Sequence, residues 1–189
     1  MEKEINFPDN FPSFETNRLA LSAFSSDDVE NFFLLRSNKD FMKYLGLNPM
    51  TKRSEARERV HEIIQAFKTQ EGITWKISLK GTNELIGYIG YWRINYRHFR
   101  GEMGFGLNEA HQNKGYMSEI MPEVLAYAFK QLNLNSVMAD VDPDNSHSIK
   151  LLEKSGFMKD GHFRENYYFN GTFLDSTYYS ILSRDFNND

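Results

Sequence analysis

The stretch from Gly101 to Tyr116 constrains the fold more than any other part of the chain. It contains an apolar strand that Gly104 and Gly106 interrupt, then a polar loop, then the start of a helix. A loop that ends in Gly115 and opens a helix leaves several backbone N–H groups unpaired, with the positive end of the helix dipole behind them. Such a geometry binds anions, and phosphate or pyrophosphate is its usual ligand. We therefore expect a binding site for a phosphorylated small molecule beside an interrupted strand.

The length and composition are those of one globular domain. The chain has 189 residues, of which 40% are hydrophobic and 25% are charged, so it is long enough for one core and short for two. Residues 1–189 are expected to form a single domain, with residues 1–15 as an irregular lead-in. The formal net charge of −4 gives no general attraction to nucleic acid and suits a polar, cationic or amine-bearing substrate. No apolar run approaches the ~20 residues that cross a bilayer, which predicts a cytoplasmic protein without membrane contact.

Three common kinds of site are excluded by residue type or spacing. The chain contains no cysteine, which rules out a disulfide and a covalent acetyl-cysteine route. Its five histidines are never four residues apart, so no metal site is expected. Gly104 and Gly106 lack the third glycine of a dinucleotide fingerprint, and Lys114 is not part of a phosphate-binding Gly-Lys-Ser/Thr sequence.

Hydrophobic patterns predict alternating strands and helices. Strands are predicted at residues 18–24, 74–79, 84–94, 101–107, 137–141, 163–169 and 173–182. Helices are predicted at about residues 25–38, from a cap at Thr51 or Ser54 to just before Gly72, from the end of the anion loop, and from Asn145 to Gly156. Pro122 cannot donate a hydrogen bond inside the third helix, so this helix should be distorted or should begin late.

Two sequence blocks resemble those of the Gcn5-related N-acetyltransferases. Gln112, Gly115 and the residues between them match the acetyl-coenzyme A loop of that family, Gln/Arg-x-x-Gly-x-Gly/Ala. Further on, Asn145 and Ser148 followed by Gly156-Phe157 resemble a second block. The resemblance covers nearly the whole chain. Within the family, the chain looks most like the ribosomal-protein and small-amine acetyltransferases of the RimJ/RimL type. Met117 departs from the loop pattern, which has Gly or Ala at this position. Its larger side chain could crowd the pyrophosphate.

The resemblance implies a fold and a cosubstrate. The fold is a mixed, mostly antiparallel central sheet of about seven strands with about four helices, in which a central strand splays from its neighbour. The cosubstrate is acetyl-coenzyme A, without a metal. Its pyrophosphate would lie on the loop, and its acetyl carbonyl and pantetheine arm on the splayed strand. The residues assigned to cofactor binding are Phe105, Leu107, Gln112, Asn113, Lys114, Gly115, Tyr116, Met117, Asn145 and Ser148.

Acetyl transfer to an amine requires a proton acceptor, because a free alkyl amine is mostly protonated at pH 7. Glu102 is predicted to be this catalytic base, since the resembled families often place a carboxylate facing the acceptor channel at this position. A solvated strand residue is the alternative. The role of Trp92 is open between strand packing and a wall of the acceptor pocket. Four residues form either a solvated turn or a basic lip, namely Arg93, Arg97, His98 and Arg100.

Ser148 is the second predicted catalytic residue. Asn145 and Ser148 have the spacing of ordinary helix-capping residues, but in the RimJ/RimL type the Asn also contacts the pantetheine side and the Ser can lie near the thioester sulfur. Leu152 fills the position at which many relatives carry a tyrosine acid. Ser148 or water would therefore protonate the leaving thiolate. Tyr167, Tyr168, Tyr178 and Tyr179 are expected to pack on the last hairpin, with acceptor contact as the alternative.

The sequence predicts an acetyl-coenzyme A-dependent N-acetyltransferase that acts by direct attack in a ternary complex. The acceptor would be a primary amine, either a protein N-terminus or a small molecule. A non-catalytic acyl-coenzyme A sensor with the same fold is the alternative. Both a monomer and a homo-oligomer are compatible with the sequence.

Overall fold

The structure is a computed structural model and describes residues 3–186. One eight-stranded sheet runs through it in the order β1-β2-β3-β4-β5-β6-β8-β7. The strands are β1 (Phe14–Glu15), β2 (Leu19–Ser22), β3 (Ile73–Leu79), β4 (Gly87–Asn95), β5 (Arg100–Leu107), β6 (Ser136–Val141), β7 (Met158–Phe169) and β8 (Thr172–Leu182). The α-helices are α1 (Val29–Ser37), α2 (Lys39–Met42), α3 (Arg53–Lys68), α4 (Tyr116–Ala126) and α5 (Ser146–Lys154).

Strands β5 and β6 form the only parallel pair within this sheet, and they separate soon after they meet. They pair at three positions, which end at Glu102 opposite Met138. Beyond this point β5 continues to Leu107 and β6 to Val141 without pairing to each other. The mixed, mostly antiparallel sheet and the splayed central strand are thus confirmed, with eight strands and five α-helices in place of about seven and four.

The hydrophobic core consists of two clusters. The larger cluster joins the sheet to α4 and α5, and its most enclosed large side chains include Trp75 and Tyr91. The Tyr91 hydroxyl donates a hydrogen bond of 2.7 Å to the backbone carbonyl of Val124, which fixes β4 against α4. The smaller cluster lies between α1 and α3 and includes Phe32 and Val60. Burial of such side chains is the main stabilising term for the fold.

A buried ion pair connects the start of α1 to β3. The Lys76 ammonium lies 2.8 Å from Asp28 Oδ1, and the two side chains are 4% and 3% exposed. The other oxygen of the Asp28 carboxylate accepts hydrogen bonds from the backbone N–H and the hydroxyl of Ser25, at 2.7 and 3.1 Å. The charge of Lys76 is thus matched inside the protein by one carboxylate that also caps the turn before α1.

Several predicted strand boundaries are wrong. The two-residue strand β1 lies within the predicted irregular lead-in, where it pairs with β2. Strand β4 begins at Gly87 and not at residue 84. Strand β7 begins at Met158, five residues before the predicted start, because two irregularities in its register let it follow β8 over a longer distance. A bulge or left-handed residue inside a strand interrupts the alternation from which strands are predicted.

The helices differ from prediction at their first turns. Helix α3 has Lys52 at its N-cap position, and neither Thr51 nor Ser54 occupies it. The Glu55 carboxylate accepts hydrogen bonds from the Lys52 N–H and from the Thr51 hydroxyl. Helix α4 starts at Tyr116, so the late start considered for it is wrong. Its α geometry gives way downstream of Pro122 to a π-helical segment, Tyr127–Gln131.

Candidate active site

The loop between β5 and α4 presents a helix start without a side-chain cap. Gly115 is the N-cap residue of α4 and has a φ of 76°, in the left-handed region that favours glycine. Asn113 is also left-handed, with a φ of 59°. No side chain of the described chain accepts a hydrogen bond at this cap. The first N–H groups of α4 are therefore available to an anion, together with the positive end of the helix dipole.

Two side chains hold this loop in shape. The Gln112 amide donates to the carbonyl of Leu107 at 2.9 Å, so it fastens the loop to the end of β5. Arg18 donates to the carbonyl of Lys114 at 3.0 Å and forms an ion pair of 2.6 Å with Glu119 on α4. Sequence reasoning missed Arg18, because it lies almost a hundred residues before the loop that it supports.

Two cavities border β5, and the smaller one, of about 310 Å³, lies beside this loop. Nine of the ten predicted cofactor-binding residues line it, namely Phe105, Leu107, Gln112, Asn113, Gly115, Tyr116, Met117, Asn145 and Ser148. Lys114 is not among its lining residues. The Met117 side chain is 9% exposed and mostly packed in the core, so little of it can crowd a ligand. Lining residues that the sequence did not indicate include Phe41, Tyr44, His111 and His147.

The two glycines of β5 have different surroundings. A Cβ atom on Gly106 would lie 2.7 Å from the ring of Phe41, so this glycine makes room for a packed aromatic side chain. A Cβ atom on Gly104 would lie 3.5 Å from Trp92, which is ordinary contact. The packing of Phe41 therefore accounts for Gly106 without a ligand. The nearby bulge lies in β4, at Trp92.

A larger cavity of about 1180 Å³ lies along β5, β6 and β8. Trp92 is one of its walls. Its charged lining residues are Arg93, Arg100, Glu102, Asp140, Asp142, Asp160 and Asp175. Tyr44 and Leu45 line both cavities, so the two cavities meet at this segment. Five carboxylates against two guanidinium groups make the larger cavity electrostatically attractive to cations.

Glu102 lies in the larger cavity, where its side chain is only 14% exposed. Its carboxylate lies 3.5 Å from the guanidinium of Arg93 and 3.9 Å from that of Arg100. The structure therefore favours an enclosed, ion-paired Glu102 over a solvated one. Of the four residues considered as a basic lip, Arg93 and Arg100 line this cavity, whereas Arg97 and His98 do not.

Asp140 is a second carboxylate in the larger cavity, and sequence reasoning did not single it out. It lies opposite Tyr178 in the β6–β8 pair. Partial burial raises its pKa, and the nearby hydroxyl groups of Tyr178 and Ser176 oppose that shift. The pKa of Tyr178 is also raised, first by burial and then by the negative charge of Asp140. Tyr178 lines this cavity, and its contact with an acceptor stays a prediction.

The start of α5 places Ser148 beside the smaller cavity. The Asn145 side chain accepts a hydrogen bond of 3.2 Å from the Ser148 N–H, which is the capping geometry that the spacing predicts. Both residues also line the cavity. Leu152 is fully buried in the core, so the position of the usual tyrosine acid offers no proton donor here.

Four residues, which we call the latch, link two distant segments at the edge of the larger cavity, and two of them, Gly46 and Tyr167, line it. The Tyr167 hydroxyl donates a hydrogen bond to the carbonyl of Gly46. The side-chain amides of Asn48 and Asn170 donate to each other's oxygens at 3.4 and 2.9 Å. These contacts connect the segment after α2 to the β7–β8 hairpin, more than 120 residues away. The larger cavity is therefore bounded by both halves of the chain.

Comparison with known proteins agrees with this geometry. The model of the acetyltransferase (GNAT) domain matches residues 18–158. An uncharacterized N-acetyltransferase of Bacillus subtilis, YoaA, is 36% identical over 172 residues, covering 91% of this chain and 97% of that protein. The chain belongs to the GNAT acetyltransferase family. It is an N-acetyltransferase whose cosubstrate is acetyl-coenzyme A.

Two solved structures are close in fold. Spermidine N-acetyltransferase from Vibrio cholerae, in complex with coenzyme A and spermine, is 26% identical, with a TM-score of 0.79 over 89% of this chain and 97% of that one. The RimL ribosomal L7/L12 acetyltransferase in complex with coenzyme A has a TM-score of 0.83 at 20% identity, over 90% of this chain and 98% of that one. The resemblance to the family, with RimL among the structural neighbours, is confirmed.

Two further features concern the described residues as a whole. Within residues 3–186, no group of three or more His, Asp or Glu side chains is arranged to hold a metal ion. Over the same range, every helix is too short or too polar to cross a membrane.

Replacing Gly115 with valine is expected to weaken acetyl-coenzyme A binding about tenfold or more, equivalent to ~1.4 kcal/mol. A β-branched residue is strained at a φ of 76°, so the loop must rearrange. The space itself is adequate, since an added Cβ atom would lie 3.6 Å from Arg18. Calorimetry measures the affinity. Gly171→Val is the matched control, because Gly171 has a φ of 86° in the open turn between β7 and β8 and lines neither cavity. Equal affinities in both variants would contradict this placement of the pyrophosphate.

Proposed function

We propose that the protein transfers the acetyl group of acetyl-coenzyme A to the primary amine of a cationic acceptor, by direct attack in a ternary complex. The observation that carries this proposal is the meeting of two cavities at Tyr44 and Leu45. The larger of them reaches Glu102 and Met138, where β5 and β6 separate. The smaller cavity has the anion loop and Ser148. The larger cavity contains Glu102, four further carboxylates and two guanidinium groups. Two substrates bound in these cavities could react without a covalent enzyme intermediate.

The proposed reaction assigns one proton transfer to each cavity. Glu102 accepts a proton from the acceptor ammonium, directly or through water, and leaves a neutral amine. The nitrogen lone pair then attacks the thioester carbonyl carbon, the carbon–sulfur bond breaks, and the electron pair leaves on sulfur. Ser148 donates its hydroxyl proton to the departing thiolate, which becomes the thiol, and the serine recovers a proton from solvent. The second proton of the nitrogen passes to solvent, and Glu102 releases the proton that it accepted to solvent before the next turnover.

The charge of the larger cavity supports a cationic acceptor. Five carboxylates and two guanidinium groups line it, so an ammonium group gains electrostatic stabilisation there and an anionic acceptor is disfavoured. The Vibrio cholerae relative is named for spermidine, which is a small cationic amine. A small amine or a protein N-terminus would each suit a cavity of about 1180 Å³.

An acceptor screen tests this proposal against the sensor alternative. Release of free thiol from acetyl-coenzyme A is measured with a panel of polyamines, amino acids, amine antibiotics and N-terminal peptides. We expect amine-dependent thiol release with cationic amines. Tight acetyl-coenzyme A binding without thiol release from any amine would favour the sensor.

Replacing Ser148 with alanine is expected to lower kcat about tenfold or more while the melting temperature stays nearly constant. The loss corresponds to a transition-state destabilisation above ~1.4 kcal/mol. Stability should change by less than ~1 kcal/mol, because Asn145 accepts from the Ser148 N–H and not from its hydroxyl. Ser146→Ala is the matched control, since Ser146 is exposed in the same helical turn and does not line the cavity. A lower melting temperature with unchanged kcat would mean that Ser148 is structural and that water protonates the thiolate.

A further inference from the structure

Helix α4 carries a carboxylate close to the end that would bind the pyrophosphate. Glu119 is the acidic residue of its first turn, and the Glu119 N–H donates to the carbonyl of Gly115 at 3.0 Å. The positive end of a helix dipole attracts the acidic side chains of the helix itself as well as an external anion. Two negative groups near this end would repel each other. An unopposed charge on Glu119 would therefore weaken the binding of a pyrophosphate.

The segment just before β2 holds the Glu119 carboxylate. The Thr16 hydroxyl and the Arg18 N–H donate to Glu119 Oε1 at 2.6 and 2.9 Å, and Arg18 Nε donates to Glu119 Oε2 at 2.6 Å. Partial burial alone would raise the pKa of Glu119, but these hydrogen bonds and the charge of Arg18 hold it below its usual value. Glu119 is therefore ionised at neutral pH, and Arg18 matches its charge.

The other nitrogens of the Arg18 guanidinium lie against the anion loop. Nη1 donates to the Lys114 carbonyl at 3.0 Å, and the guanidinium carbon lies 4.6 Å from the centre of the Tyr116 ring. Nη2 lies 3.6 Å from the position of a Cβ atom added to Gly115. Arg18 does not line the smaller cavity, so it would act on a bound anion through Glu119 and the loop.

We infer that Arg18 sets the affinity for acetyl-coenzyme A, because it cancels the charge of Glu119 beside the pyrophosphate site. The inference rests on the proposed function, in which the cofactor lies on the anion loop. Arg18 is a positioning residue, since it acts through the Glu119 carboxylate and the loop. The competing explanation is a purely mechanical link, in which Thr16, Arg18 and Glu119 fasten the start of β2 to α4 and their charges are unimportant.

Calorimetry of acetyl-coenzyme A binding without an acceptor tests the inference independently of acetyl transfer. Arg18→Gln should weaken binding about tenfold or more, and the deficit should shrink at about 1 M salt, which screens the charge of Glu119. Glu119→Gln keeps the size of the side chain and one acceptor oxygen but removes the charge, so it should bind more tightly than the wild type. The double variant Arg18→Gln, Glu119→Gln should recover most of the affinity that Arg18→Gln loses, because the repelling charge is gone.

Arg53→Gln is the matched control. It removes a guanidinium that lies 2.6 Å from the Glu30 carboxylate, and neither residue lines a cavity, so the affinity should not change. A double variant as weak as Arg18→Gln, or a deficit that salt leaves unchanged, would overturn the inference. If circular dichroism shows that Arg18→Gln does not fold, Glu119→Gln still decides, because binding no tighter than that of the wild type contradicts a repelling charge. If the wild type acetylates no amine, the proposed function fails, while these affinities still decide the role of Arg18.

Discussion

Replacing Asp28 with alanine is expected to lower the free energy of unfolding by about 3–5 kcal/mol. The substitution leaves the Lys76 ammonium, which is 4% exposed at the side chain, without a partner inside the protein. It also removes the acceptor for the Ser25 N–H. An uncompensated buried charge costs far more than an exposed ion pair contributes. Chemical denaturation, followed by circular dichroism, measures the difference.

Two variants separate the buried pair from general effects of the substitution. Asp27→Ala removes the neighbouring, exposed carboxylate and should change stability by less than ~0.5 kcal/mol. The double variant Asp28→Ala, Lys76→Met should recover part of the lost stability, because the unpaired charge is gone. A single Asp28→Ala variant as stable as Asp27→Ala would mean that Lys76 reaches solvent and that the pair is not buried in solution.

Replacing Glu102 with glutamine is expected to lower kcat about 10²-fold or more, with fold and acetyl-coenzyme A affinity preserved. Glutamine keeps the size of the side chain but cannot accept the proton of the acceptor ammonium. The deficit should be largest near neutral pH and should shrink as the pH approaches ~10.4, the usual pKa of an alkyl amine, because the acceptor then arrives deprotonated. Steady-state rates across this pH range measure the effect.

The matched control is Glu84→Gln, an exposed carboxylate in the turn before β4. It should leave the rate and its pH dependence unchanged. If Glu102→Gln shows the same rate and pH profile as the wild type, the ion pairs of Glu102 with Arg93 and Arg100 are structural. Water or another residue would then accept the proton.

The backbone geometry of the proposed cofactor half was predictable because it is local in sequence. The loop from Gln112 to Met117, its left-handed Gly115 and the cap formed by Asn145 each depend on residues within a few positions of one another. Such patterns follow from backbone geometry, which the sequence expresses directly. The splayed strand was predicted only through the family resemblance, since no periodicity distinguishes a strand that loses its partner halfway.

The features that sequence reasoning missed are contacts between distant segments. Arg18 supports the anion loop from almost a hundred residues away, and Lys76 reads as an ordinary strand residue until Asp28 is found beside it. Asp140 alternates with apolar neighbours as any outward-facing strand residue would. Its position opposite Tyr178 depends on the pairing of β6 with β8. Pairings of this kind are set by topology and leave no local pattern.

The residues that line the two cavities are completed at different stages of chain synthesis, and the latch belongs to the later stage. Every residue that lines the smaller cavity has been made by Leu151, whereas the larger cavity takes wall residues from as far as Leu182. Two of the four latch residues, Tyr167 and Asn170, lie on the final hairpin. Because synthesis proceeds from the N-terminus, the larger cavity can be enclosed only after this hairpin has been synthesised. The larger cavity therefore stays incomplete until the final hairpin has been synthesised, whereas every lining residue of the smaller cavity is already present.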